Sequence, residues 1–359
     1  MFRPKRNALV KRLWKYRIVN NTGEDEAACA LENHEDFEMK SVVHSVLKRL
    51  KEAQLEKLVQ SVESRGADIS DCVLVPRGNL RFGRRTAAPH VLCCQLWRWP
   101  EVRHPFELKR LHWCQTANDP LYICCNPYHW SKLCEPESPP PPYRRYPQEL
   151  LKPEDRAPSE PVSLETGGTN QYGSYRSHSP GDVSGVFPSQ QLWCTLAYWE
   201  LRSRVGRLFP VHKNAVDVFY DLPHGDGLCV SALTEQNQND GVLRTRQKIG
   251  LGLTLTREED GVWVYNRSDF SLFVNSPTLD LPHTRPLTVH KVLPGCSIKI
   301  FDYEKSRYYQ RFENVELSDG PFNHNAVRIS FAKGWGPKYT RQCITSCPSW
   351  LEVIISVVR

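Results

Sequence analysis

CTLAYWE, residues 194–200, is the first of seven strand-like segments that follow one another through the second half of the chain. Each is rich in β-branched or aromatic residues and is separated from the next by turn residues. The other six are AVDVFYDLP (215–223), LGLTLTRE (251–258), GVWVYNRS (261–268), LFVNSP (272–277), SIKIFDYE (297–304) and AVRISF (326–331). This spacing predicts an antiparallel β-sandwich over residues 191–359, interrupted by a short basic helix at VLRTRQKIG (242–250).

The composition changes upstream of the sandwich, where residues 135–190 contain 11 prolines together with Gly- and Ser-rich stretches. Such a segment cannot bury enough apolar surface to fold alone, so we expect a linker. Within it, ESPPPPYRRYP (137–147) contains a Pro-Pro-x-Tyr motif. The motif residues are Pro140, Pro141, Pro142 and Tyr143. Consecutive prolines hold an extended helix that WW domains bind, but the motif alone leaves a rigid spacer open as well.

Residues 41–134 are expected to form a small α/β domain. From Ser41 to Arg65 the apolar residues recur at three- and four-residue steps, and Gly66 follows as a C-terminal cap. This pattern predicts one amphipathic helix. The next segment, CVLVPRGNLRFGRRTAAPH (72–90), is typical of a strand followed by a basic turn.

A cysteine and histidine pattern in this domain favours a metal site. Cys114, Cys124 and His129 follow the spacing C-x9-C-x4-H, and Cys72 lies upstream. Three thiolates and one imidazole complete a tetrahedral, structural Zn²⁺ site. The spacing does not exclude four other cysteines, namely Cys93, Cys94, Cys125 and Cys134. A thiol nucleophile with His129 as its base is a weaker interpretation, because no orienting group or catalytic motif accompanies it, so we do not expect an enzyme.

The first 40 residues combine a basic and an acidic segment. Seven basic residues and no acidic ones occur in the first 20 positions, and subtracting them from 47 leaves 40 basic against 40 acidic residues. We expect a basic arm followed by a disordered acidic segment. No run of 18 or more apolar residues occurs and the basic amino terminus lacks an apolar core, which predicts an intracellular protein without membrane insertion. We expect it in cytoplasm and nucleus. The 13 cysteines are then expected to be reduced.

Segments from both halves and from the linker are similar to those of a known protein family. They include MFRPKRNALVKRLW (1–14), LKRLKEAQLEKLVQSVESRG (47–66), CVLVPRGNLR (72–81), LWRWPEV (96–102), CCNPYH (124–129), ESPPPPY (137–143), LAYWELRSRVGRLF (196–209), FYDLPHGDGLC (219–229), DGVWVYNRS (260–268), ISFAKGWG (329–336) and YTRQCITSCPSWLEV (339–353). On these segments the chain resembles the inhibitory Smad family from end to end. The resemblance implies a Mad homology 1 (MH1) domain, a linker, and a Mad homology 2 (MH2) sandwich flanked by helices and loops.

The resemblance also implies site residues and partners. It selects Cys72, Cys114, Cys124 and His129 as zinc ligands, and it implies that the linker motif binds a WW-domain HECT-type ubiquitin ligase. The MH2 domain would bind the phosphorylated type I receptor kinase or other Smads, and so antagonise TGF-β or BMP-type signalling. For this contact the resemblance points to the loop KGWGPKYTRQ (333–342), and we add the basic strip of the predicted helix. The contact residues are Lys333, Trp335, Lys338, Arg341, Arg244, Arg246 and Lys248.

Two departures from the wider Smad pattern bear on function. The segment PRGNLRFGRRTAAPH (76–90) is shorter than the DNA-reading hairpin of receptor-activated Smads and lacks its glutamine, so we expect at most weak, non-specific DNA binding through its arginines. These are Arg77, Arg81, Arg84 and Arg85. The sequence given ends in IISVVR where receptor-activated members have a Ser-Ser-x-Ser tail, so we expect no such phosphorylation switch. The alternative function is a zinc-dependent, DNA-binding transcriptional regulator acting in the nucleus.

Overall fold

A computed structural model of the chain describes residues 3–18, 43–134, 191–221, 227–233, 239–279, 288–312 and 323–356, except for positions 45, 69, 83, 84 and 118. The expected acidic segment, the Pro-Pro-x-Tyr motif at 140–143 and Arg84 lie outside these residues. Among the helices described, none has the length and apolar character that a membrane span requires.

Helices and short strands form the N-terminal domain. Its elements are α1 (Arg3–Lys15), α2 (Glu52–Glu63), β1 (Leu74–Pro76), β2 (Leu80–Phe82), β3 (Arg85–Ala87), α3 (Pro89–Trp97), β4 (Leu108–Arg110), β5 (Tyr122–Cys124) and β6 (Trp130–Leu133). The strands pair antiparallel as β1 with β5, β2 with β3, and β4 with β6. Buried side chains from the helices, including Leu13, Leu58 and Trp97, meet in one hydrophobic cluster.

The first helix corrects the expectation of a solvated basic arm. Leu9 and Leu13 lie four residues apart on α1 and are both buried in the core of the N-terminal domain. On its exposed side, Arg12 forms a bidentate ion pair with Glu63 of α2. Lys5 contacts acidic residues at the other end of α2. Burial of Leu9 and Leu13 holds α1 on the domain, and its exposed charges pair with α2, where Glu63 lies 51 positions after Arg12.

The predicted helix from Ser41 to Arg65 is wrong in one respect, because it is interrupted. Residues 46–49 are helical, Lys51 is extended at φ −71° and ψ 160°, and α2 begins at Glu52. The Gln54 side chain accepts a hydrogen bond from the Lys51 backbone N–H, which caps the new helix. Arg6 donates to three backbone oxygens at the interruption, those of Leu47, Lys48 and Leu50. The break preserves the apolar periodicity, so the sequence pattern does not reveal it.

Two β-sheets form the C-terminal domain. The six-stranded sheet has the order β14–β13–β16–β17–β7–β8, and the seven-stranded sheet has the order β10–β9–β11–β12–β15–β6–β4. The new strands are β7 (Cys194–Glu200), β8 (Ser203–Val211), β9 (Ala215–Phe219), β10 (Gly227–Cys229), β11 (Leu253–Arg257), β12 (Gly261–Asn266), β13 (Leu272–Asn275), β14 (His290–Val292), β15 (Cys296–Asp302), β16 (Ala326–Phe331) and β17 (Trp350–Ile355). The helices are α4 (Asp240–Gln247) and α5 (Tyr303–Phe312). The basic helix predicted within residues 242–250 is therefore confirmed.

Both sheets contribute to one hydrophobic cluster. Leu196 and Ile329 come from the six-stranded sheet, and Leu255 and Val264 come from the seven-stranded sheet. Most strand pairs are antiparallel, as the sequence predicts, but β10 pairs with β9 in parallel. The second parallel pair joins β15 to β6.

The two domains share the seven-stranded sheet. Lys132 and Leu133 of β6 pair with Cys296 and Ser297 of β15, so the last strand before the linker extends the sheet of the C-terminal domain. Side chains reinforce this contact. Lys109 forms an ion pair with Glu258 at 2.6 Å, and Arg98 donates a hydrogen bond to the Tyr265 hydroxyl at 3.2 Å.

Candidate metal centre and basic surface

The four expected metal ligands converge in the N-terminal domain, although they are distributed over 58 positions of sequence. Cys72 lies in the segment before β1, and Cys124 is the last residue of β5, which pairs with β1. His129 ends a short 3-10 turn, Pro127–His129, that begins when the Asn126 side chain accepts the Tyr128 backbone N–H. Cys114 is contributed by the segment after β4.

The geometry of this cluster fits a tetrahedral metal. All four ligand atoms lie within 4.8 Å of one another. The Cys72 and Cys114 sulfurs are 3.9 Å apart, and His129 Nδ1 is 3.4 Å from Cys72 Sγ and 3.5 Å from Cys124 Sγ. Zinc–ligand bonds of about 2.0–2.3 Å imply edges of about 3.8 Å between sulfurs and about 3.5 Å between sulfur and nitrogen. The cluster therefore could hold one ion with every coordination position filled by protein.

Surrounding groups orient the ligands. The Ser70 carbonyl oxygen accepts a hydrogen bond from His129 Nε2–H at 2.8 Å. This tautomer directs the Nδ1 lone pair toward the thiols. The Cys124 sulfur accepts the Asn126 backbone N–H at 3.4 Å. The Asn126 side chain is itself fixed by the Ser61 hydroxyl at 2.6 Å. These contacts resemble the outer shell of a structural metal site.

The cluster shifts the pKa values of two of its thiols in opposite directions. Hydrogen bonding with Cys114, and then with Cys72, raises the pKa of the Cys124 thiol. Hydrogen bonding with Cys124, and then with Cys72, lowers the pKa of the Cys114 thiol. Burial lowers the pKa of the His129 imidazole, but hydrogen bonds with Cys114 and Cys72 outweigh burial and raise it to about 9. Thiolates are the form that metals bind. A cation is the natural way to balance thiolates that are buried together.

The four alternative cysteines lie elsewhere. Cys93, Cys94 and Cys125 are buried in the hydrophobic cluster of the N-terminal domain. Burial raises the pKa of the Cys125 thiol well above its usual value. The Cys125 backbone N–H donates to the Val73 oxygen, just before β1. Cys134 packs against the core of the C-terminal domain. The structure therefore separates Cys124 from its neighbour Cys125, which spacing could not do.

The basic strip on α4 divides into exposed and buried residues. Arg244 is exposed, and Lys248 is partly exposed with its ammonium 5.2 Å from the centre of the Phe270 ring. Arg246 is buried, and its guanidinium forms two hydrogen bonds to the Glu200 carboxylate at 2.6 and 2.8 Å. Because this charge is satisfied inside the protein, we correct the expectation that Arg246 contacts a partner. It anchors α4 to β7 instead.

The loop 333–342 divides in the same way. Trp335 is only 1% exposed and packs in a small cluster with Phe273 and Trp350, so it supports the loop rather than offering a contact. Lys338 is exposed, and Lys333 and Arg341 are partly exposed. The Gly336 backbone N–H donates to the Arg341 oxygen at 2.7 Å, which closes the loop. Five of the seven expected contact residues are therefore exposed or partly exposed to solvent: Arg244, Lys248, Lys333, Lys338 and Arg341.

Both halves of the chain are similar to known proteins. The MH1 domain model matches residues 39–134, and the MH2 domain model matches residues 191–356. "Mothers against decapentaplegic homolog 6" of Gallus gallus is 52% identical over 89% of this chain and 75% of its own length. "Mothers against decapentaplegic homolog 7" of Homo sapiens is 48% identical over 89% of this chain and 79% of its own length. The chain belongs to the inhibitory Smad family.

A more distant relative matches nearly the whole chain. "Dwarfin sma-3" of Caenorhabditis elegans is 30% identical over 97% of this chain and 91% of its own length. Inhibitory Smads are proteins of TGF-β and BMP signalling. In this inhibitory Smad, α1 precedes the residues that the MH1 model matches, yet it packs into the MH1 core.

The segment that corresponds to the Smad DNA-reading hairpin forms a two-stranded antiparallel pair, β2 with β3. Arg77, just before it, is exposed, and its Nε donates to the Asp119 backbone oxygen at 2.9 Å. Arg81 and Arg85 lie on the paired strands. A short antiparallel hairpin therefore occupies the segment that we expected to depart from the DNA-reading hairpin.

Sequence reasoning missed the residues that support the two sites. Asn126 could have been suspected, because Asn-Pro favours a turn immediately before the histidine ligand. Glu200 gave no such signal, since its partner Arg246 is 46 positions away. Only the packing of α4 against the end of β7 brings these two charges together.

Proposed function

We propose that this inhibitory Smad antagonises TGF-β or BMP-type signalling by binding the phosphorylated type I receptor kinase or other Smads through its MH2 domain. The observation that carries the proposal is the arrangement of exposed and partly exposed cations around buried anchors. Lys333 and Arg341 stand on a loop held by Trp335, and Arg244 and Lys248 stand on a helix held by the Arg246–Glu200 pair. Arginine offers paired donors to phosphate oxygens, and lysine adds a mobile charge.

The loop and the helix are linked through the end of β7. Arg246 bonds to Glu200, the neighbouring Leu201 backbone N–H donates to the Cys347 oxygen at 3.2 Å, and the Cys347 sulfur contacts the Lys333 oxygen at 3.7 Å. These contacts hold the loop and the helix at the same end of β7, which supports our proposal that their cations act together. We interpret the two sheets behind it, which share one hydrophobic cluster, as the β-sandwich expected from the sequence.

The first test compares the full-length protein with phosphorylated and unphosphorylated receptor kinase segments. We expect the phosphorylated segment to bind more tightly, and the double variant Lys333→Ala/Arg341→Ala to lose about tenfold in affinity for it. Arg307→Ala/Arg311→Ala is the matched control. It removes two exposed charges from α5, which bonds Asn325 at the opposite end of β16. Equal affinity of the wild-type protein for both segments would refute receptor binding through phosphate.

We further propose that Pro140, Pro141, Pro142 and Tyr143 bind a WW-domain HECT-type ubiquitin ligase. The motif is a Pro-Pro-x-Tyr ligand whose prolines reduce the conformational entropy lost on docking. Tyr143→Ala should abolish capture of the ligase while receptor binding is unchanged, as measured by pull-down with purified WW domains. Tyr146→Ala, three positions on, is the control and should still capture the ligase. Retention by Tyr143→Ala would make the segment a spacer.

We also propose one structural Zn²⁺ held by Cys72, Cys114, Cys124 and His129. The proposal is supported by distances that suit tetrahedral coordination and by the hydrogen bond from His129 to Ser70. Because the cluster leaves no position for water or substrate, the zinc would stabilise the MH1 fold and would not catalyse a reaction. We therefore propose that the protein acts by binding and is not an enzyme. We also propose that it acts in cytoplasm and nucleus.

DNA binding is the alternative function, and the β2–β3 hairpin is the observation that favours it. We propose that it is weak and independent of sequence, because the basic residues available suit phosphate contacts. Titrating specific and scrambled duplexes across salt concentrations separates the two cases. A large specificity ratio at physiological salt would favour the alternative.

A further inference from the structure

The turn between β7 and β8 is fixed in an unusual conformation. Glu200 pairs with Ser203, so Leu201 and Arg202 form a two-residue turn. Leu201 has φ +54°, a region that turns of this kind usually fill with Gly, Asn or Asp. Two hydrogen bonds hold its backbone: its N–H donates to the Cys347 oxygen at 3.2 Å, and its oxygen accepts from Trp350 Nε1 at 2.8 Å. The surrounding structure therefore imposes this turn.

The turn presents positive charge that is not neutralised locally. Arg202 and Arg204 are exposed, and no ion pair or hydrogen bond of their guanidinium groups is found within the described part of the chain. Glu200, the adjacent acid, is 2% exposed and already paired with Arg246. Both arginines are therefore available for an anion from outside.

This charge lies beside the basic loop. Cys347 contacts both the turn, through Leu201, and the loop, through the Lys333 oxygen. Arg204 is the cross-strand partner of Trp199, which stacks on Trp350 with ring centres 5.1 Å apart. Trp350 belongs to the cluster that buries Trp335 beneath the loop. One aromatic platform thus supports the loop and the turn.

We propose that Arg202 and Arg204 form a second phosphate-contact site, continuous with the loop 333–342. This inference rests on the proposed function, because it assigns the turn to the same phosphorylated partner segment. A segment with one phosphate engages the loop or α4. A second phosphate in the same acidic segment engages the turn, since guanidinium groups on a rigid backbone are pre-organised for bidentate contact. The surface is therefore selective for multiply phosphorylated segments.

The test uses the full-length protein and short acidic peptides that carry no, one or two phosphoserines. The wild-type protein should bind the doubly phosphorylated peptide about tenfold more tightly than the singly phosphorylated one. Arg202→Ala/Arg204→Ala should remove most of this gain and leave affinity for the singly phosphorylated peptide nearly unchanged. Arg207→Ala is the control, because Arg207 is an exposed arginine of the same strand that lies outside the turn. Gly206, at φ +75°, separates it from Arg204, and the pairing register of β7 and β8 shifts there.

The outcomes distinguish this inference from the proposed function. If the double variant keeps the full gain, or if Arg207→Ala loses as much, the turn is not a specific site, although phosphate-dependent binding through the loop stands. If the wild-type protein does not distinguish phosphorylated from unphosphorylated peptides, both proposals fail. Coincident thermal unfolding curves would show that the exposed substitutions leave the fold intact.

Discussion

Replacing Cys124 with serine is expected to abolish stoichiometric zinc binding and to unfold the MH1 domain. Cys124 is fully buried between two other sulfurs and His129, so its loss removes a central ligand. Structural zinc sites contribute about 10–16 kcal/mol of apparent binding free energy, which exceeds the stability of most small domains. Elemental analysis should give one zinc per wild-type chain and much less than one for the variant, and hydrogen exchange should locate the unfolding in the MH1 core.

Two cysteine variants serve as controls for this prediction. Cys343→Ser removes an exposed thiol from the MH2 domain and should keep one zinc and wild-type stability. Cys125→Ala removes the neighbour of Cys124 from the apolar core, so it should lower stability through a cavity but retain zinc. A folded MH1 domain without zinc in the wild-type protein would contradict the assignment.

Replacing Glu200 with glutamine is expected to lower the free energy of unfolding by about 3–5 kcal/mol, because Arg246 would remain buried without a countercharge. The Glu200 side chain is 1% exposed and that of Arg246 is 6% exposed. The Tyr198 hydroxyl also donates to Glu200 and would lose its charged acceptor. Urea denaturation of the full-length protein measures the effect.

A double variant separates the lost countercharge from general disruption of packing. Glu200→Gln combined with Arg246→Met removes both charges, and it should be more stable than Glu200→Gln alone. Lys299→Met is the comparison for a more exposed ion pair, because its partner Asp260 is 59% exposed. This variant should lower the free energy of unfolding by less than about 1 kcal/mol. A Glu200→Gln protein as stable as wild type would show that the pair does not anchor α4.

Local sequence patterns predicted the elements whose signals are local. The strand spacing and the helix at α4 follow from periodicity, and both are present. The metal ligands needed more than spacing, because Cys124 and Cys125 are adjacent and only the resemblance selected one of them. Their separation depends on β1 pairing with β5, which aligns Leu74 with Cys124. Such pairing between distant segments is not encoded in any short window.

The errors in prediction have a common physical origin. The basic segment at the N-terminus folds as α1 because Leu9 and Leu13 join the MH1 core, and three acidic residues of α2 pair with its charges, namely Glu52, Glu56 and Glu63. Arg246 was expected among the contact residues for its charge and Trp335 for its family position, although the residues alone favoured a core position for Trp335; both are buried. In each case the sequence analysis singled out the right residue, but a contact with a distant segment gives that residue a structural role instead of the expected one.

The pairing of β6 with β15 has a consequence for the MH2 domain when it is separated from MH1. The Lys132 backbone N–H donates to the Gly295 oxygen and the Cys134 N–H to the Ser297 oxygen, so β6 covers one side of β15. An MH2 fragment that begins after the linker would expose these groups as an open sheet edge. Because unpaired sheet edges can pair with the edges of other chains, we expect such a fragment to self-associate more readily than the two-domain protein.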